Sequence, residues 1–194
     1  MENTTCHLIG GAPRTGKTTL ANEIATKHGI KPLSTDSILV MMMKMVQEED
    51  YPDLFYLKGM TVEDFYEKYS TPQQAVEAGV KSGVDAERGL IALLEYTLPA
   101  WKIVVLEGDV VTPSFAKRMQ QKFPTTTFYT TFLYDDNEQR IRERIFREGL
   151  WSRTVPYSDD VKPKEVAYAI EYNKWFLNDA KLCGIGVTNV NSTP

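Results

Sequence analysis

The sequence predicts an α/β fold built on a parallel sheet, and three observations carry that reading. Short apolar or β-branched runs recur at 6–9, 31–34, 103–107, 126–133 and 185–190, most with turn signals beside them, as buried parallel strands do. Stretches of helical character lie between these runs, so strand and helix alternate. The 194 residues are 42% hydrophobic and 25% charged with mixed sign, which suits one domain, 1–194, around one sizeable core.

The elements follow in order. The first strand runs straight into a Gly-rich loop. Helix 17–28 then places Leu20, Ala21, Ile24 and Ala25 on one face, and Gly29 suits the position just past its end. After the second strand comes helix 36–49. About 65 residues separate the second strand from the third, far more than a crossover helix requires. Helices are expected at 61–69, 72–81 and 85–96, so 37–100 reads as a helical insert over one end of the sheet. Helices 114–122, 137–148 and 164–182 complete the alternation.

The bulk properties exclude several classes. A net charge of −4 leaves no general basic footprint for nucleic acid. No apolar run approaches a membrane span, 40–46 being broken by Lys44, and Leu8–Ile9 meets Gly-Gly too soon for a signal peptide. Cys6 and Cys183 read as reduced core residues, in keeping with a cytoplasmic setting. His7 and His28 are assigned no catalytic role.

The loop after the first strand carries the chemistry. Gly11-Ala12-Pro13-Arg14-Thr15-Gly16-Lys17-Thr18 matches G-x-x-x-x-G-K-[ST] without a mismatch and opens an amphipathic helix. Backbone N–H groups of such a loop, helped by the helix dipole, wrap a phosphate. Residues 11–19, Thr19 included, are therefore the nucleotide-binding candidates. Lys17 would reach the β- and γ-phosphates, and the Thr18 hydroxyl would ligate Mg²⁺. Pro13 cannot donate and stiffens the loop. Arg14 either faces solvent or touches a phosphate or the acceptor.

Three further features bear on what a bound nucleotide would do. Asp36, at the carboxyl end of the second strand, is placed to accept the proton of an attacking hydroxyl or to hold Mg²⁺ through water. The competing role is a helix cap for Asp36 or Thr35. Glu107 ends the apolar run 103–107, where a carboxylate orients Mg²⁺ through water. Asp109 is the reserve, and Gly108 would let the backbone approach a ligand. The third feature is arginine-rich. Arg140, Arg144 and Arg147 share one helical face, and Arg153 follows a Gly-containing break. Arginines on a segment that closes would neutralise transition-state charge and help exclude water. The plainer reading is a solvated helix with pairs such as Glu143–Arg147.

With the loop, Asp36, Glu107-Gly108 and Arg144, Arg147 and Arg153 together, the chain resembles the small P-loop kinases, the group of adenylate, shikimate and gluconate kinases, polynucleotide kinase and the zeta toxins. GGAPRTGKTTLA with STD and VVLEGDVVTP resembles most the bacterial 2-phosphoglycerate kinase-like proteins. The resemblance implies a three-layer P-loop NTPase fold, a five-stranded parallel sheet in the order 2-3-1-4-5 and a lid near 147–162. It also implies Mg-ATP as donor, a base at Asp36 and a small-molecule acceptor that need not be 2-phosphoglycerate itself.

Acceptor choice is expected in 37–100. Its methionines and aromatics at helical spacing form core or a pocket wall. Lys81, Arg88 and, less well placed, Lys58 are its cations for an anionic acceptor. Two other functions fit the same loop: a nucleotide or polynucleotide kinase, and a nucleotide-binding regulatory module with little transfer. Against a guanine-nucleotide switch, Asn173-Lys174-Trp175-Phe176 lacks the Asp of N-K-x-D.

Overall fold

In the computed structural model, residues 4–150 and 158–191 are described. The strands are β1 (Thr4–Gly11), β2 (Leu33–Ser34), β3 (Ile103–Glu107), β4 (Thr126–Tyr134) and β5 (Thr188–Asn189). They form one sheet, every pair parallel, in the order β2-β3-β1-β4-β5. The α-helices among the described residues are α1 (Lys17–Lys27), α2 (Thr35–Met45), α3 (Val62–Lys68), α4 (Pro72–Trp101), α5 (Pro113–Lys122), α6 (Glu138–Glu148) and α7 (Lys162–Cys183). None is long and apolar enough to cross a membrane.

Alternation along β1 and β3 divides the core in two. Ile9 and Val105 face α1 and meet its buried Ala21 and Ala25. Cys6, Leu8, Val104 and Leu106 face the other way, into the larger cluster that holds Phe115 of α5 and Phe176 of α7. His7 lies on the α1 side, where its ring stacks on Tyr129 and meets His28. Burial and the neighbouring His28 hold its pKa below the usual histidine value. Cys6 is buried, but Cys183 ends α7 half-exposed and is not a core residue.

Several elements differ from the sequence expectation. β2 has two residues rather than four: Pro32 has no N–H for the ladder. Helix α2 ends at Met45, four residues early, where Val46 turns extended. The expected helices 72–81 and 85–96 are one 30-residue helix, α4. Its start is firm: Pro72 occupies the first turn, and Thr71 with Gln74 forms a capping box. The Ser82-Gly83 step does not break it, because the small residues there allow close approach. A Cβ on Gly83 would lie 3.3 Å from Val110 Cγ1, and one on Gly89 only 2.3 Å from Met42 Sδ. Packing offsets the cost of about 1 kcal/mol for each helical glycine.

Candidate active site

Register brings the chemistry to one end of the sheet. Ile9 and Ser34 both sit opposite Glu107. The loop leaving β1, the entry to α2 and the end of β3 are therefore neighbours at the strands' carboxyl ends, where open α/β sheets bind ligands.

The 11–18 loop bends through positive φ at Gly11 (142°), Arg14 (64°) and Gly16 (95°). Gly16 is the N-cap of α1 and supplies no side-chain hydrogen bond to the first turn. Thr15 Oγ1 donates to Ala12 O at 2.7 Å and tightens the loop. Lys17 is only 7% exposed. Its Nζ donates to Ala12 O and pairs with Asp109 Oδ1, both at 2.8 Å. Thr18 Oγ1 donates to Glu107 Oε2 at 3.1 Å. A hydroxyl beside a carboxylate is a hard-oxygen pair of the kind Mg²⁺ takes. No group of three or more His, Cys, Asp or Glu side chains forms a metal cage among the described residues. Mg²⁺ shared with phosphate oxygens and water needs only one or two protein oxygens.

Asp36 lies in the first turn of α2, whose N-cap is Ser34 with no side-chain cap bond. The capping roles weighed for Asp36 and Thr35 are not what this helix uses. Burial, then Asp109 and Glu107, raise the Asp36 carboxyl to about 6 against the pull of Lys17. Gly108 adopts φ 144° and lines the phosphate-loop cavity, and its lack of a Cβ also serves packing. A Cβ there would lie 1.8 Å from Thr35 Oγ1. The β3 exit is thus packed directly on the start of α2, and this contact sets Asp36 beside Glu107. Gly108→Ala is expected to cost at least about 2 kcal/mol, read as a lower denaturant midpoint with an unchanged slope.

The arginines divide by role. Arg14 Nη2 donates to Gly149 O at 2.6 Å and Glu148 O at 3.3 Å, at the end of α6. Arg144 Nη1 donates back to Arg14 O at 2.9 Å. Arg14 therefore ties the phosphate loop to α6. Arg140 does not join Arg144 and Arg147: it pairs with buried Asp135 at 2.7 Å. Arg147 is exposed and pairs with Glu148 rather than Glu143. Arg153 and 151–157 of the lid segment lie outside the described residues. Beyond them, Ser158 N donates to Glu63 Oε1 of α3.

Two cavities meet at Asp36. One, of about 690 Å³, is walled by the 13–19 stretch, Glu107, Gly108, Arg144 and Arg147. The other, of about 470 Å³, opens between α2, α4, α5 and α7. Asp36, Asp109 and Leu150 line both. Tyr172 donates its hydroxyl to Asp109 O at 2.8 Å, fixing the partition between them.

The insert supplies only part of the second wall. Much of the rest comes from Thr112, which caps α5, Ser114 and Arg118 of α5, and Tyr168, Tyr172 and Trp175 of α7, which sequence reasoning missed. The 168, 172, 175 spacing was a signal for one helical face. Lys58, Lys81 and Arg88 do not line this cavity. Lys58 pairs with Glu48, and Arg88 bonds Tyr51. Asn173 is structural: its Oδ1 accepts from Asp135 N.

The strand order and the loop after β1 define a three-layer P-loop NTPase fold. Within that class, the chain is similar to archaeal proteins named 2-phosphoglycerate kinase. It is 26% identical to the one from Methanocaldococcus jannaschii over 189 residues, 93% of this chain and 56% of the relative. For Methanothermobacter thermautotrophicus the identity is 26% over 148 residues, 75% and 48%. For Pyrococcus horikoshii it is 30% over 112 residues, 57% and 36%. The chain thus spans about half the length of these relatives, or less. No family model matches it. The likeness to 2-phosphoglycerate kinase-like proteins read from the sequence agrees with what these relatives are named.

Proposed function

We propose that this chain is a phosphotransferase that moves the γ-phosphate of Mg-ATP to a hydroxyl of a small metabolite. The observation that carries the reading is Asp36, a carboxyl with raised pKa on the partition between the phosphate-loop cavity and a second, aromatic-walled cavity. A switch needs the first cavity; a transferase needs both.

The first cavity holds the triphosphate against the loop N–H groups and Lys17, with Thr18 and Glu107 on the metal side. Mg²⁺, when bound, neutralises charge on the phosphate oxygens. An acceptor hydroxyl in the second cavity gives its proton to the Asp36 carboxylate. The oxygen bonds to the γ-phosphorus, the bond from that phosphorus to the β–γ bridging oxygen breaks, and ADP leaves. Arg144 and Arg147, with Arg153, are proposed to face the charge that develops. The name of these relatives makes 2-phosphoglycerate the first acceptor to try.

The test is incubation with Mg²⁺, γ-labelled ATP and a small-molecule cell extract. A labelled phosphate ester, missing with Lys17→Ala, is the expected result. ATP bound tightly with no ester formed would contradict transfer and favour a regulatory module.

A further inference from the structure

We propose that the acceptor is an uncharged alcohol with an apolar or aromatic body, rather than a phosphorylated acid, and that Ser82 is one of the groups that reads it. The inference rests on the transfer reading above and narrows it.

The charges around the second cavity come first. Among the described residues its charged lining is Asp36, Asp109 and Arg118. Arg118 is already matched: its Nε lies 2.9 Å from both Glu87 carboxylate oxygens, and its Nη2 is 2.6 Å from Oε2. Asp109 is matched by Lys17. A doubly anionic acid would therefore bring its charges toward two carboxylates and one cation that is already neutralised. An uncharged alcohol meets no such opposition.

The rest of the wall suits an apolar body. Tyr56, Tyr168, Tyr172 and Trp175 supply ring faces and edges. Burial holds the three phenols above their usual pKa, so they remain neutral. Gly79, Ser82 and Gly83 of α4 line one side of the cavity, with the Tyr56 and Tyr168 hydroxyls close to Gly79 and Val110 close to Gly83. The rim is apolar too: Val40 and Val84 are 59% and 60% exposed and Leu57 38%. Exposed apolar side chains around the mouth of a cavity are the surface an apolar ligand covers.

One polar group in that wall stands out. Ser82 is 1% exposed, and its buried Oγ has no hydrogen-bond partner. Buried hydroxyls are nearly always paired. Ser82 lines the cavity, and although its Oγ is closed off as placed, a turn about Cα–Cβ would offer the hydroxyl to a hydroxyl or carbonyl of the acceptor.

The test separates the charge classes. One small-molecule extract is split into uncharged, acidic and basic fractions by ion exchange. Each fraction, and 2-phosphoglycerate alone, is incubated with Mg²⁺ and γ-labelled ATP, with Lys17→Ala as control. The expected result is a labelled ester from the uncharged fraction. Label confined to 2-phosphoglycerate, the acidic fraction or the basic fraction overturns the inference and leaves transfer standing. No ester from any fraction overturns both. For Ser82, Ser82→Ala assayed in a dilution series of the uncharged fraction should show an apparent acceptor KM about tenfold higher, with kcat changed less than about twofold. An unchanged KM removes Ser82 from the proposal.

Discussion

Lys17→Ala is expected to lower phosphoryl transfer by about 10³-fold or more and to weaken MgATP binding severely. Lys17 is nearly buried, and among the described residues it bonds Ala12 O and Asp109. Its charge is held where the loop would present a phosphate. Removing it leaves a carboxylate, Asp109, to repel the nucleotide and Asp36 alike. Asp109 is 42% exposed at its side chain, so water can solvate it and the fold should survive. Titration calorimetry with MgATP, beside initial transfer rates, checks both parts. Affinity within a few-fold of wild type would remove Lys17 from the nucleotide site.

Asp36→Asn separates binding from chemistry. Transfer should fall by about 10²- to 10⁴-fold, while MgATP affinity stays within about threefold. The same change should stabilise the protein. Above about pH 6 the folded chain carries a charged Asp36, open to solvent on one side, that partial desolvation and two neighbouring carboxylates disfavour. Below about pH 4 the group is protonated both folded and unfolded, and that cost is gone. Its contribution to stability is therefore greatest at low pH and is lost as pH rises from about 4 to about 6. Asn removes the charge at every pH. After discounting for solvent access and for Lys17, the gain at pH 7.5 is about 1–2 kcal/mol, or a Tm higher by about 2–8 °C. A variant that is inactive but no more stable at pH 7.5 would show that Asp36 is not held against its charge.

Local signals made part of this site legible. The phosphate loop is contiguous, so its glycines, lysine and hydroxyl can be read from spacing. Glu107 was legible because an apolar run ends on it and register with β1 does the rest. Other features depend on contacts far apart in sequence. Helix α4 runs on through Ser82-Gly83, where Gly83 packs against Val110, a contact more than twenty residues away in sequence. The role of Arg14 is set by carbonyls at the end of α6, more than 130 residues away. The second cavity draws on α5 and α7, so a reading that sought acceptor contacts in the insert alone missed most of its aromatic wall. The cations picked there, Lys81 and Arg88, lie away from that wall, because charge alone does not say which way a helix faces.

The pH dependence of transfer at saturating MgATP, followed from pH 5 to 8.5 in the wild type and in Asp36→Asn, tests most directly whether Asp36 acts as the base between the two cavities. With Asp36 as base, wild-type activity falls as pH drops through about 6, the value to which its surroundings raise it. The residual activity of Asp36→Asn should lack that limb. The same acidic limb in both proteins would assign the titration to another group and contradict the mechanism.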